Sequence, residues 1–348
     1  MENKTTNIPI ALLGLGQVGR NFISLLLEKK ELLKLEYGLD ISLVAVADSS
    51  GAVIDRTGLD LKKIIDIKET KRKVNTYQDG ESFIGTTLDA IEKSGATILV
   101  EASPTNLQNG EPAISHIAKS LQHKISVATL NKGPIVLKYP ELAKIAQANN
   151  SQLKYSGATA AALPTSDVAF YSLAGTTISR IHGILNGTSN YILSEMYNGE
   201  IDLESAIKEA QEKGIAEHNP KADLEGWDTA AKTLILANTI MGAELSIDDI
   251  HVEGITGSTF EAVKSAKKAG GKVKLIGEIR SIEGKVEASV VLKQLTADHP
   301  LYNVEGTNKG IHYVTDTMGD LTVVGGKSDP RAAAAAALKD VILIATNK

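Results

Sequence analysis

Residues 8–13, IPIALL, run directly into Gly14-Leu15-Gly16-Gln17-Val18-Gly19, and NFISLLLEKKELL follows with apolar positions at helical spacing. A short buried strand, a glycine turn and a helix in that order leave few folds open. The first glycine permits the tight turn, the second lets backbone approach a pyrophosphate, and the third allows the helix to pack closely. Backbone N–H groups and the positive helix end favour an anion, so Gly14, Gly16, Gln17, Val18 and Gly19 are expected to hold dinucleotide phosphates. A second strand, ISLVAVA at 41–47, ends at Asp48. A carboxylate there suits a ribose 2′-hydroxyl and repels a 2′-phosphate, which leans the reading toward NAD. Arg56, Lys62 and Lys63 lie close enough in sequence to offset a phosphate, so NADP stays open.

Two further strand and helix units follow: ATILVEA at 96–102 with a helix over 111–122, and KISVATL at 124–130 with a helix over 139–149. Alternating apolar strands and amphipathic helices predict an α/β fold with a doubly wound, parallel, Rossmann-type sheet over residues 1–150. Ligands on such sheets lie beyond the carboxyl ends of strands, so Ser103, Thr105 and Lys132 fall where a nicotinamide ribose would lie. The chain then changes character. SQLKYSGATAAALPTSD at 151–167 starts as a strand and becomes a run of small residues, which close backbone packing requires. TISRIHGIL at 177–185 alternates as a strand, residues 272–295 read as a hairpin around Glu283-Gly284, and IHYVTDTMGDLTVVGG forms another strand pair. Residues 151–325 are therefore expected to form an α+β domain with a mixed sheet. His299 precedes a proline in a turn and is read as structural.

The segment 210–232, AQEKGIAEHNPKADLEGWDTAAK, is unlike a linker. Asp202 can cap a helix that Gly214 terminates, residues 215–226 form a loop rich in Glu and Asp, and a second helix begins near Trp227. On that helix Asp228 and Lys232 stand four apart on one face, among apolar or small residues. Such a lysine either snorkels to the surface or is held by a carboxylate, where desolvation lowers its pKa toward proton transfer. A structural ion pair is equally consistent with the helix alone.

The order Ala210, Gly214, Ile215, Ala216, Asn219-Pro220, Asp223-Leu224, Gly226, Asp228, Lys232 resembles the signature of homoserine dehydrogenase. The segment NGTSNYIL, 186–193, is similar to that family's second motif, and the likeness extends from about residue 8 to the last helix. The resemblance implies reversible, NAD(P)-dependent reduction of L-aspartate 4-semialdehyde to L-homoserine, a step of threonine and methionine biosynthesis. An aldehyde accepting hydride develops negative charge on oxygen, so the site needs a cation and a proton source. The implied roles are Lys232 as acid and base, Asp228 orienting it or binding substrate, and Glu217 and Asp223 holding the substrate ammonium. Lys132, matching the family's Asn-Lys pair, would assist at the oxygen or the carboxylate, and which lysine moves the proton is left open. Asn186, Gly187 and Thr188 present small polar groups and N–H donors at a helix start, a seat for the amino-acid carboxylate. Gly214, Glu217 and Gly325 are expected to approach the cofactor.

Many relatives carry a glutamate near the start of the small-residue run that helps bind a monovalent cation. Ser156 stands there instead, so a cation near Ser156, Thr159 and Ala161 is left open. The alanine-rich helix at 331–344 resembles the closing helix that returns to the nucleotide domain, so segment 326–348 is assigned there. A homodimer through the mixed sheet is expected, as is a short form without a threonine-binding regulatory domain and hence without threonine inhibition through one. The competing readings are a related amino-acid or semialdehyde dehydrogenase and a catalytically silent nucleotide sensor.

Composition sets the remaining bounds. The chain has 348 residues, a net charge of −5 and no cysteine, which excludes disulfides and thiolate sites and fits a cytoplasmic address. Nothing in it approaches the ~18 apolar residues of a membrane span, its start is no secretory signal, and no basic face invites nucleic acid. The one basic run, KETKRK at 68–73, reads as a solvated loop.

Overall fold

The computed structural model describes residues 5–347 apart from Lys71, Gly80 and Glu81. Residues 1–4, Lys348 and Lys71 of the KETKRK run lie outside the described residues. The chain divides into two compact units, Met1–Ala158 with Asp329–Lys348, and Thr159–Ser328.

The first unit runs β1 (Thr6–Leu13), α1 (Gln17–Tyr37), β2 (Leu39–Asp48), β3 (Gly51–Ile54), α2 (Leu61–Glu69), β4 (Phe83–Gly85), α3 (Thr87–Glu92), β5 (Ile98–Glu101), α4 (Ala113–Gln122), β6 (Ser126–Thr129), α5 (Lys132–Ala148) and β7 (Leu153–Lys154). Its sheet, among the described residues, has the order β4-β3-β2-β1-β5-β6-β7. Strands β2, β1, β5, β6 and β7 pair in parallel as expected, whereas β3 pairs antiparallel with β2 and with the edge strand β4, an arrangement that the sequence reading missed. Alternation along β1 explains the two-sided core. Ile10 and Leu12 pack with Phe22, Ile23 and Val341 on one face, while Ala11 and Leu13 pack with Ile117 and Leu142 on the other. Val341 lies on the last helix, α13 (Pro330–Ala345), which Asp329 caps by accepting from the Ala332 N–H at 2.7 Å.

Two local expectations are corrected. Helix α5 begins at Lys132, not at Tyr139: Asn131 caps it, and the kink at Lys138 beside Pro140 made its first two turns look like loop. Segment 151–167 starts as a strand, β7, as expected, before its run of small residues. It holds α6 (Ser156–Ala160) and α7 (Thr165–Asp167), and Ser156 is fixed by the buried Asp340 of α13. Lys68 and Glu69 of the basic run belong to α2 rather than to a loop.

The second unit contains β8 (Ile178–Ile184), α8 (Gly187–Asn198), α9 (Leu203–Glu212), α10 (Lys221–Leu224), α11 (Trp227–Ile240), β9 (His251–Val252), α12 (Thr259–Lys268), β10 (Lys272–Ile282), β11 (Lys285–Leu295), β12 (Lys309–Thr315) and β13 (Leu321–Gly325). Its sheet is mixed, in the order β13-β12-β8-β10-β11-β9. The hairpin turns at Glu283-Gly284 as expected, with φ of 49° and 83°. Leu236 and Ala237 of α11 pack on Ile181, Ile279 and Ile311. Gly277 lets the helix lie close, because a Cβ there would sit 2.2 Å from Thr233 Oγ1. Helix α10 is a single turn inside the segment expected to be loop throughout.

No helix among the described residues is long and apolar enough to cross a membrane.

Candidate active site

In the first unit a cleft of about 800 Å³ opens at the carboxyl ends of β1, β2 and β5. Gly14, Gly16, Gln17, Val18, Asp48 and Ser103 all line it. Gly14 has φ of 104°, and a Cβ on Gly19 would fall 2.0 Å from the Gly14 carbonyl, so both glycines are sterically required. A Cβ on Gly16 would meet nothing within 4 Å. Gly16 is also the N-cap of α1 and makes no side-chain cap, so the first-turn N–H groups stand ready for an anion. This cradle fits a pyrophosphate.

Asp48 ends β2, but its carboxylate is not waiting alone. Its Oδ2 lies 2.6 Å from Lys68 Nζ, and Oδ1 accepts from the Ser50 N–H and hydroxyl. Burial pushes its pKa upward, yet the Lys68 and Ser50 bonds outweigh that and hold it below the usual carboxylate range. Of the basic residues considered from sequence, Lys63 turns to the Gln78 carbonyl and Arg56 to that of Lys93. Lys68, which lines the cleft, was missed. Its position on the amphipathic helix LKKIIDIKE was the available signal.

Beyond β5, Ser103 bonds the fully buried Glu101, whose Oε1 lies 3.5 Å from His116 Nδ1. His116 lines the cleft and neither it nor Glu101 was singled out from sequence. Thr105 is exposed on the following loop. Asn131 ties β6 to that loop by donating to the carbonyls of Ser103 and Pro104, each at 3.2 Å, and accepts from the Gly133 N–H. Lys132, half-buried, is therefore the first residue of a capped helix rather than a mobile loop residue.

The second unit gathers the acidic and lysine residues where β8 ends. Lys232 Nζ lies 2.6 Å from Asp228 Oδ2 and donates to the Leu185 carbonyl at 2.9 Å, with both side chains nearly buried. Asn186 Oδ1 caps α8 by accepting from the Ser189 N–H, and its Nδ2 donates to Asp223 at 2.6 Å and Asp228 at 2.7 Å. The structure thus brings together Asn186, Asp223, Asp228 and Lys232. Gly187 and Thr188 form the first turn of α8, and a Cβ on Gly187 would stand 2.8 Å from the Thr307 carbonyl. Asn190, farther along the motif, donates to the carbonyls of Val304, Gly306 and Asn308 and so fastens a loop. Gly214 and Glu217 are exposed in the turn after α9, and Gly325 ends β13 with φ of 130°. Thr159 bonds Thr165 through their hydroxyls, and Ala161 has φ of 50°.

A family model described as homoserine dehydrogenase matches residues 164–342 of this chain. A curated homoserine dehydrogenase from Methanocaldococcus jannaschii is 42% identical, over 96% of this chain and 98% of that protein. The chain belongs to the homoserine dehydrogenase family. An NAD(+)-dependent homoserine dehydrogenase from Pseudomonas canavaninivorans is 34% identical over 97% of this chain and 96% of that one. Among solved structures, one from Archaeoglobus fulgidus has a TM-score of 0.86 at 32% identity, covering 97% and 99% of the two chains. A hyperthermophilic archaeal homoserine dehydrogenase in complex with NADPH has a TM-score of 0.81 at 26% identity, covering 99% of each. A second family model, of glutamate, leucine, phenylalanine and valine dehydrogenases, matches residues 2–110. That stretch holds the glycine turn, so this likeness concerns the nucleotide cleft rather than the lysine and acidic cluster of the homoserine dehydrogenase family.

Proposed function

We propose that this chain interconverts L-aspartate 4-semialdehyde and L-homoserine with NAD or NADP, using Lys232 as the proton-transfer group. The observation that carries this reading is the Lys232–Asp228 pair, at 2.6 Å, beside the Asn186-bridged carboxylates. A lysine ammonium has three donors. Asp228 and the Leu185 carbonyl engage Lys232, and a further donor is assigned to the substrate oxygen.

The nicotinamide, when bound, supplies or accepts the hydride. Lys232 then gives a proton to the oxygen as negative charge builds there, and in the oxidative direction the neutral amine takes the hydroxyl proton. Asp228 keeps the ammonium oriented. Asp223 and Glu217 are assigned to the substrate ammonium, and the first turn of α8, with Asn186, Gly187 and Thr188, to its carboxylate. Lys132 is assigned to the oxygen or the carboxylate. In the cleft, Gly14 to Gly19 hold the pyrophosphate, Ser103 and Thr105 flank the nicotinamide ribose, and Asp48 serves the adenosine ribose with a lean to NAD. Gly214, Glu217 and Gly325 are assigned contacts to the cofactor. We further place the protein in the cytoplasm as a homodimer. The exposed Phe170, Tyr171, Ile282 and Val324 of the second unit support such an assembly, and sedimentation at twice the chain mass tests it.

The test of the activity is direct. Mixing the protein with L-homoserine and NAD, and separately NADP, is expected to raise the reduced-nicotinamide absorbance, more steeply toward alkaline pH. A folded protein that binds nucleotide yet gives no signal with either cofactor would return the reading to another dehydrogenase or a silent sensor.

A further inference from the structure

Lys309 is the first residue of β12, and only 1% of it is exposed. Its ammonium donates to the carbonyl of Ala160 and, at 3.3 Å, to that of Lys327. A buried ammonium is strongly unfavourable unless oxygen atoms satisfy it, so these bonds fix its place. Ala160 lies between Thr159 and Ala161, the residues around which the family resemblance raises a monovalent cation. Backbone carbonyls are the oxygens a hard cation would use, and an ammonium takes the same lone pairs with the same charge. A cation at Ala160 would face Lys309 directly. At the start of the run Ser156 offers no carboxylate: its hydroxyl donates to Asp340 and accepts from Lys339, both at 2.7 Å. The residues present do not fit a bound cation.

We infer that the Lys309 ammonium is a built-in counterpart of a monovalent cation, pinning segment 159–163 to β12 and to the loop after β13. The packing shows what it positions. Lys309 pairs with Gly325, and Gly326 lies so close to the run that a Cβ would fall 2.5 Å from Leu163 N. Thr307 and Ser328, in the same segments, abut Gly187 at the start of α8. Lys309 is a positioning residue for that helix start, and fold and rate do not depend on added Na⁺ or K⁺.

The test compares full-length wild type and Lys309→Met in tetramethylammonium, sodium, potassium and methylammonium chlorides at one ionic strength, reading Tm first and kcat and KM second. Wild type is expected to show the same Tm in all four salts. Lys309→Met is expected to melt several degrees lower in tetramethylammonium and to regain Tm in potassium or methylammonium. A wild-type Tm that rises with sodium or potassium overturns the inference, and so does a Lys309→Met protein with no cation response. Should that variant fail to fold, the wild-type series decides alone. Because melting needs no turnover, failure here is separable from failure of the proposed activity.

Discussion

Asn186 uses one amide to cap α8 and to bridge Asp223 and Asp228. Asn186→Ala would leave the two carboxylates without that amide and the helix without its cap. The expected cost is about 1–3 kcal/mol of stability and a KM for homoserine raised about tenfold or more, by roughly 1.4 kcal/mol per tenfold. Urea unfolding and steady-state kinetics check both, and an unchanged KM would remove Asn186 from the substrate seat. At the other ligand, Lys68 pairs with Asp48 across 20 positions of sequence. Lys68→Met is expected to raise KM for NADP more than for NAD, since a 2′-phosphate needs the cation and a ribose hydroxyl needs only the carboxylate. Equal effects on both cofactors would make Lys68 a partner of Asp48 alone. The sequence exposes Asp228 and Lys232 because they stand four apart on one helix face, a local relation. It hides the Lys68–Asp48 pair and the Lys309 contacts because these are tertiary.

At the scale of elements, the sheet face opposite α11 carries a group of histidines. His182 bonds Glu278 at 3.0 Å and stacks on His299, while His312 bonds Thr322 at 2.8 Å and faces Asp320. Burial is the largest influence on all three and lowers their pKa values, that of His182 to about 4 from the usual 6.5 despite Glu278. For His182 the unfolded chain therefore binds a proton near pH 6.5 that the folded chain refuses until about pH 4, and burial shifts His299 and His312 in the same direction. Their contribution to stability is full above that window and is lost as pH falls through it. The urea midpoint is expected to drop between pH 7 and 5, and to drop less in His182→Asn; equal slopes in the two proteins would contradict this. Element prediction from sequence worked where apolar periodicity was long and uninterrupted, as in α1 and β10–β11. It faltered at α5, where Pro134 and Pro140 imitate a loop, and at the antiparallel strands β3 and β4, which are short.

For the molecule as a whole, the α/β class and the parallel sheet follow from alternating strands and helices, and both are seen. The antiparallel edge is not coded by periodicity, because strand direction depends on what pairs with what. The units divide after Ala158 and after Ser328, beyond the expected 150 and 325, since Ser156 is held by Asp340 of the closing helix. The acidic and lysine segment was legible through its residue order. Its geometry was not: that Asn186 from the end of β8 should join Asp223 and Asp228 is set by the packing of α10 against both α8 and α11. The central claim is that Lys232 transfers the proton in homoserine oxidation. The decisive measurement compares kcat of wild type and Lys232→Ala at saturating homoserine and cofactor, with cofactor Kd measured alongside. The predicted result is a kcat lower by about 10²–10⁴-fold with Kd nearly unchanged. A variant that turns over at close to the wild-type rate would contradict it and shift the proton transfer to Lys132.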